Sequence, residues 1–136
     1  MTEAVLDASV VIKWFRAQGE RNVDAARALR ASFEAGELIV FAPPLLRLEI
    51  VNVAGSRWHW GEATLVDLAT ALDDLGFELT EPELVRVAHW TSRGLTAYDA
   101  AYVAVAELVG ASLVTDDDLI IEIAREIAQP LTEGQS

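Results

Sequence analysis

The sequence predicts an α/β fold, a parallel sheet with helices on both faces. Three observations carry this expectation. Short runs such as Leu38–Phe41 and Ser112–Thr115 are apolar or β-branched and lie next to Gly or Pro, as buried strands do. Longer Ala- and Leu-rich segments with helical spacing separate them. The runs are apolar throughout instead of alternating, which suits strands covered on both faces. Sheets of this kind place ligands at the carboxyl ends of their strands, where the strand order reverses.

The elements follow in order. The opening Ala4-Val5-Leu6-Asp7 is a short apolar run ending in an acid and reads as a buried strand. Ser9–Ala17 has helical character. Asn22–Ala35 is rich in Ala and Arg, both good helix formers, and Gly36 is a candidate C-cap. Leu38–Phe41, between Gly36 and Pro43, is the second strand. Pro43-Pro44 then opens a helix, since proline is tolerated in the first turn, and it runs towards Gly55 or Trp60. Gly61 opens the next helix, whose Leu65, Leu68, Ala69, Leu72 and Leu75 follow i, i+3, i+4, i+7 spacing until Gly76. Phe77–Thr80 is a short strand. Glu81–Arg93 is a helix with Pro82 at its start and Gly94 at its end. Thr96 is an N-cap for Ala97–Val109, a nearly all-apolar and therefore central helix, capped by Gly110. Ser112–Thr115 is a strand, Leu119–Glu126 a helix, and Ala128–Leu131 a short final strand.

Composition limits what the chain can do. Its 136 residues suit one domain over 1–136, and 52% hydrophobic residues suffice for a core. The absence of Cys removes disulfides, thiolate zinc sites and thiol nucleophiles. No signal peptide and no membrane span are expected, so the protein reads as soluble and cytoplasmic. The net charge of −12 excludes a nucleic-acid binder with a broad basic face.

The acids at the predicted strand ends are the candidate chemistry. Asp7 ends the first strand, and Asp116, Asp117 and Asp118 follow a later one. Asp99 lies in the first turn of the helix before that strand, and Glu49 in the helix after the second strand. In a parallel sheet these positions share one edge, so four carboxylates converge. Each also has a structural reading. Asp7 suits a helix N-cap assisted by Ser9. Asp99, three residues after Thr96, suits a capping box. The Asp116–Asp118 run suits a solvated loop and cap. Glu49 lies among Leu45, Leu46, Leu48, Ile50, Val51 and Val53, which leave it little solvent-facing surface, with Asn52 one turn away on its face. Together the four positions are more specific than any one. Converging carboxylates take up protons or bind cations, and oxygen-only ligands favour Mg²⁺ or Mn²⁺. Such ions assist phosphodiester hydrolysis.

These residues resemble the PIN-domain ribonucleases, most closely the VapC toxins of type II toxin–antitoxin modules. The motifs are VLDASVVIKWF (Val5–Phe15), LEIVNV (Leu48–Val53) and LTAYDAAYVAVAELVGASLVTDDD (Leu95–Asp118). From Trp58 to Trp90 only the helical pattern matches. The resemblance implies a PIN-like fold with strand order 3-2-1-4-5. It implies Mg²⁺- or Mn²⁺-dependent cleavage of RNA, homodimerisation, and neutralisation by a cognate VapB-type antitoxin. Asp7, Glu49, Asp99 and Asp117 then hold the metal, and water activated there attacks the phosphorus in line. Two residues past Thr115 the family places its fourth acid, which is Asp117, with Asp116 in reserve and Asp118 flanking. Ser9 and Thr115 position carboxylates or waters, and Asn52 orients Glu49.

Other phosphate-handling folds fail on residues. Asp7-Ala8-Ser9 lacks the Asp-x-Asp of haloacid-dehalogenase-type phosphatases, and the lone lysine, Lys13, lies far from where a receiver domain needs one. No Gly-rich phosphate loop exists. His59 and His89 are isolated. Arg57-Trp58-His59-Trp60 reads either as a helix end packing its tryptophans into a core or dimer interface, or as an aromatic patch contacting RNA or antitoxin. Arg16, Arg47, Arg57 and Arg93 are candidate RNA contacts that the sequence does not rank. The rival functions are a free-standing PIN nuclease and a PIN-fold RNA-binding module that does not cleave.

Overall fold

In the computed structural model, which describes residues 2–132, strands and helices alternate along the chain. The order is β1 (Thr2–Leu6), α1 (Ala8–Phe15), α2 (Val23–Glu34), β2 (Leu38–Ala42), α3 (Leu45–Ser56), α4 (Glu62–Asp73) and β3 (Glu78–Leu79). There follow α5 (Leu84–Ser92), α6 (Ala97–Val109), β4 (Ser112–Thr115), α7 (Asp118–Ile123) and β5 (Ala128–Pro130). The strands form one all-parallel sheet in the order β3-β2-β1-β4-β5, the order that the resemblance implies.

This order creates the crevice that holds the acids. From β1 the chain winds outward through β2 to β3, then returns to β4 and winds the other way to β5. The order therefore reverses between β1 and β4. Leu6 pairs with Val114, so Asp7 and Thr115 leave the sheet side by side at its carboxyl edge.

The core explains why the edge is rigid. Val5, Leu6, Val40, Leu113 and Val114 are buried, as continuous apolar strands require. Helix α6 packs against β1, β2 and β4. Its residues from Ala100 to Ala106 are all buried, almost two full turns, so it is covered all round there. Small side chains at Ala100, Ala101, Ala104 and Ala106 allow that close approach. Trp14, Phe33 and Phe77 meet at ring-centroid distances of 5.1–6.0 Å and tie α1 and α2 to the segment entering β3. No helix among the described residues is long and apolar enough to cross a membrane.

Three elements differ from expectation. Helix α5 begins at Leu84, not Glu81, because Glu83 is extended (φ −73°, ψ 120°) and serves as the N-cap. Pro82 therefore precedes the helix instead of opening it. Helix α7 ends at Ile123 instead of Glu126. Ala124 leaves helical geometry, and the chain turns to bring Ala128 opposite Leu113. Ala69 lies on the predicted apolar stripe of α4 but is exposed, whereas Leu68 and Leu72 are buried.

Candidate active site

Asp7 is the hub of the site. It ends β1, is only 4% exposed, and serves as the N-cap residue of α1 without a side-chain cap bond. Its two oxygens instead accept hydrogen bonds from hydroxyls. Ser9 Oγ donates to Oδ1 at 2.6 Å and Thr115 Oγ1 donates to Oδ2 at 2.5 Å. Both hydroxyls also accept from the backbone beyond β4, Ser9 from Asp116 N–H at 2.9 Å and Thr115 from Asp117 N–H at 3.0 Å. The two hydroxyls thus lock the end of β1 to the turn after β4.

Asp99 reaches the same cleft from the first turn of α6. Thr96 Oγ1 caps the helix by accepting from the Asp99 N–H at 3.1 Å. Glu49 projects from α3 and is half-buried. Its hydrogen bond comes from the Tyr102 hydroxyl. Asn52 does not orient Glu49, contrary to expectation. It is exposed, and among the described residues its side chain makes no bond to Glu49. The acid faces inward to α6 while Asn52 faces outward. Tyr102 was the missed partner. It lies three residues after Asp99, on the same face of α6, and is the one polar side chain in the buried stretch.

The three consecutive acids have three different situations. Asp116 is neutralised by cations. Asn22 Nδ2 binds its Oδ1 at 3.0 Å, while Arg21 Nε and Lys13 Nζ approach its Oδ2, both at 3.2 Å. Asp117 Oδ1 caps α7, accepting from the N–H groups of Leu119 and Ile120 at 2.9 and 3.2 Å. Its second oxygen accepts nothing from the described residues. Asp118 has an 89% exposed side chain and lies outside the cleft. Lys13 has a place in the cleft that the sequence reading did not assign to it. It is 3% exposed and pairs with Glu20 at 3.0 Å as well as with Asp116. As the single lysine, placed on an apolar helix face, it was a visible signal.

Asp7, Glu49, Asp99, Asp116 and Asp117 all line one cleft of about 440 Å³, together with Ser9, Lys13, Arg21, Arg57 and Tyr102. The electrostatics there favour protons or cations. Burial pushes the Asp7 carboxyl up to about 7, against the lowering hydrogen bonds of Ser9 and Thr115, with Asp99 and Asp117 raising it further. Burial likewise raises Glu49 and Asp99. Asp99 adds to the first, and Asp117 to the second. Asp116 goes the other way. Burial raises it, but hydrogen bonds from Asn22 and Lys13 and the Lys13 charge outweigh that and hold it low.

The donor set fits a hard divalent cation, being all oxygen and mostly carboxylate. Among the described residues no three acidic or imidazole groups form a ready-made cage. Mg²⁺ keeps several waters and takes only one or two carboxylates directly. Asp7, Glu49, Asp99 and Asp117 are the cleft residues that could hold such an ion. Neither histidine joins them. His89 packs edge-on against Trp90 at 5.0 Å, and His59 is exposed.

Arg57-Trp58-His59-Trp60 closes α3. The N–H groups of Arg57 and Trp58 return to Val53 O and that of Trp60 to Ala54 O. His59 makes the turn at φ 57°, left-handed geometry that costs a non-glycine residue about 1 kcal/mol. Both tryptophans are partly buried against the core.

The sheet is doubly wound and parallel, and its carboxylates gather at the switch point, where sheets of this class bind their ligands. The PIN domain family model matches residues 4–126, and the chain belongs to that family, whose members are generally nucleases. Among solved structures, PAE2754 from Pyrobaculum aerophilum is similar at 25% identity and a TM-score of 0.66, over 96% of this chain and 91% of that one. VapC20 of Mycobacterium tuberculosis, a sarcin–ricin loop cleaving toxin, is similar at 16% identity and a TM-score of 0.66, over 90% and 94%. FitAB, solved bound to an IR36 DNA fragment, is similar at 14% identity and a TM-score of 0.65, over 98% of both chains. Those last two likenesses concern the fold. A search of curated proteins finds no significant match.

Proposed function

We propose that this single PIN domain is a Mg²⁺- or Mn²⁺-dependent endoribonuclease and the toxin of a VapBC-type module. The observation that carries the reading is the convergence of Asp7, Glu49, Asp99 and Asp117 on one cleft from four separate segments, with three of those carboxyls raised. A divalent ion held there by Asp7, Glu49, Asp99 and Asp117 would supply water activation and charge offset at the phosphodiester oxygens. The chain's own residues prepare that place. Ser9 and Thr115 fix the Asp7 carboxylate, Tyr102 fixes Glu49, and Asp117 is fixed by its cap bonds to α7 with one oxygen left over. Lys13 and Arg21 hold Asp116, so it acts as a strut instead of a ligand.

Support for protein partners comes from a different surface. A cleft of about 570 Å³ beside α3 and α4 is lined by Pro44, Leu45, Leu48, Val51 and Leu72, and Leu48 is 74% exposed. Exposed apolar surface of this kind marks interaction sites. It suits a second copy of the chain or a cognate antitoxin, in the cytoplasm. An upstream reading frame for a DNA-binding antitoxin is expected, and its absence would favour a free-standing nuclease.

The test is cleavage of RNA by purified, antitoxin-free protein with Mg²⁺, Mn²⁺ or EDTA. Cleavage with metal, none with EDTA and none by Asp99→Asn is the expected pattern. No cleavage with either metal, or full activity in Asp99→Asn, would sink the reading.

A further inference from the structure

We propose that Arg16, Arg57, Trp58 and His59 form a subsite that holds the single-stranded RNA flanking the cleaved bond. The inference rests on the ribonuclease reading and names what lies beside the acids. Two helices run out of the acidic cleft to the same rim. Ile12 of α1 and Val53 of α3 line the cleft. The Arg16 N–H bonds back to Ile12 O at 3.1 Å, and the Arg57 N–H to Val53 O at 2.8 Å, so each arginine stands one turn beyond a cleft residue. Arg57 itself lines the cleft. The Arg16 guanidinium sits over the Trp58 ring, 5.6 Å from its centroid, and so joins the two helix ends.

Among the described arginines without an ion pair, Arg57 lines the acidic cleft, whereas Arg27, Arg93 and Arg125 do not. The chain has 22 acids against 10 cations, yet among the described residues neither Arg16 nor Arg57 has a carboxylate within ion-pair distance. Lys13 and Arg21, which also line the cleft, are occupied by Glu20 and Asp116. Free guanidiniums at the mouth of an anionic cleft suit a polyanion that enters it. The aromatic part is a pair of tilted, core-anchored rings, with an interplanar angle of 50°. Trp58 and Trp60 lie 5.0 Å apart, anchored on the core, and His59 keeps its imidazole exposed in a backbone geometry that glycine adopts more easily. Aromatic faces accept unpaired bases of any sequence, and guanidiniums accept their phosphates. A duplex offers no free base face, so the subsite selects single strands.

The test measures binding of a fluorescent single-stranded RNA by anisotropy, with cleavage kinetics alongside. The wild-type protein is compared with Arg16→Gln, Arg57→Gln, Trp58→Leu and Trp58→Phe, each checked for folding by circular dichroism. Each arginine variant should weaken binding roughly threefold and reduce the slope of log affinity against log salt by about 0.7, one phosphate contact. KM should rise while kcat holds. Trp58→Leu should weaken binding on the order of tenfold, and Trp58→Phe should restore most of it. If Trp58→Leu misfolds, the arginine salt slopes decide. Wild-type affinity and slope in both arginine variants would overturn the proposal, as would loss of antitoxin binding with RNA binding intact. Protein that binds RNA through this rim but does not cleave it would refute the ribonuclease reading and leave the subsite standing.

Discussion

Asp7→Asn should stabilise the metal-free protein at alkaline pH and not at acid pH. Asp7 is 4% exposed, and its carboxyl rises from 3.8 to about 7 because burial disfavours the charge. The folded-state value lies above that of the unfolded chain, so the folded protein keeps the proton longer. The stability this confers is complete below about pH 4 and is lost as pH rises through about 7. One pKa unit corresponds to about 1.4 kcal/mol, so the whole loss is about 4 kcal/mol, of which about 3 kcal/mol falls between pH 5 and pH 8. Asparagine carries no charge and suffers no such loss. It also keeps its partners, because the Ser9 and Thr115 hydroxyls can each donate or accept. For a chain of this size the difference corresponds to a Tm shift of about 10 °C. Thermal unfolding in EDTA at pH 5 and pH 8 reads it directly. The gap between Asp7→Asn and wild type should widen by about that amount from pH 5 to pH 8. Saturating Mn²⁺ at pH 8 should narrow it by stabilising only the wild type, by about 2.7 kcal/mol at a hundredfold excess over Kd. A gap that stays constant with pH would refute the claim that Asp7 is a strained buried charge.

Three further variants separate the roles assigned around the cleft. Asp117→Asn should leave stability nearly unchanged, since Asn caps a helix as well as Asp, and should abolish Mn²⁺ binding in calorimetry. Asp116→Asn should do the reverse, costing about 1–3 kcal/mol in denaturant unfolding by depriving buried Lys13 of a partner, with Mn²⁺ affinity within about threefold. A tenfold loss of affinity there would return Asp116 to the ligand set. Tyr102→Phe removes the hydrogen bond that restrains the Glu49 carboxyl, which then rises further, so cleavage should fall more at pH 6 than at pH 8. Equal losses at both values would contradict that role. Gly94→Ala places a Cβ 3.3 Å from Ile123 Cδ1 at φ +115° and should cost about 1–3 kcal/mol in chemical denaturation, with activity per folded molecule unchanged.

Much of the fold was legible because its central strands carry apolar runs and are punctuated by Gly and Pro. Leu38–Ala42 and Ser112–Thr115 announce themselves, and a parallel sheet then puts Asp7 and the acids after Thr115 on one edge. Helix limits set by tertiary demands were less readable. Nothing local ends α7 at Ile123; the need to pair Ala128 with Leu113 does. The site shows the same division. Acids at strand ends follow from topology, but the partner of Glu49 depends on how α3 and α6 face each other. Sequence spacing pointed to Asn52 within the helix, whereas packing delivered Tyr102 from across the cleft. The −12 charge also takes a local meaning. Part of the excess acid lines the cleft, and Lys13 and Arg21 neutralise Asp116 beside it.

The central claim is that these carboxylates form one cation site. Titration of Mn²⁺ into the apo protein, followed by loss of the free-ion electron paramagnetic resonance signal, tests it most directly. Wild type should bind saturably, and Asp99→Asn, whose backbone cap to Thr96 is untouched, should bind at least about tenfold more weakly. Equal affinity in the two proteins would contradict the account.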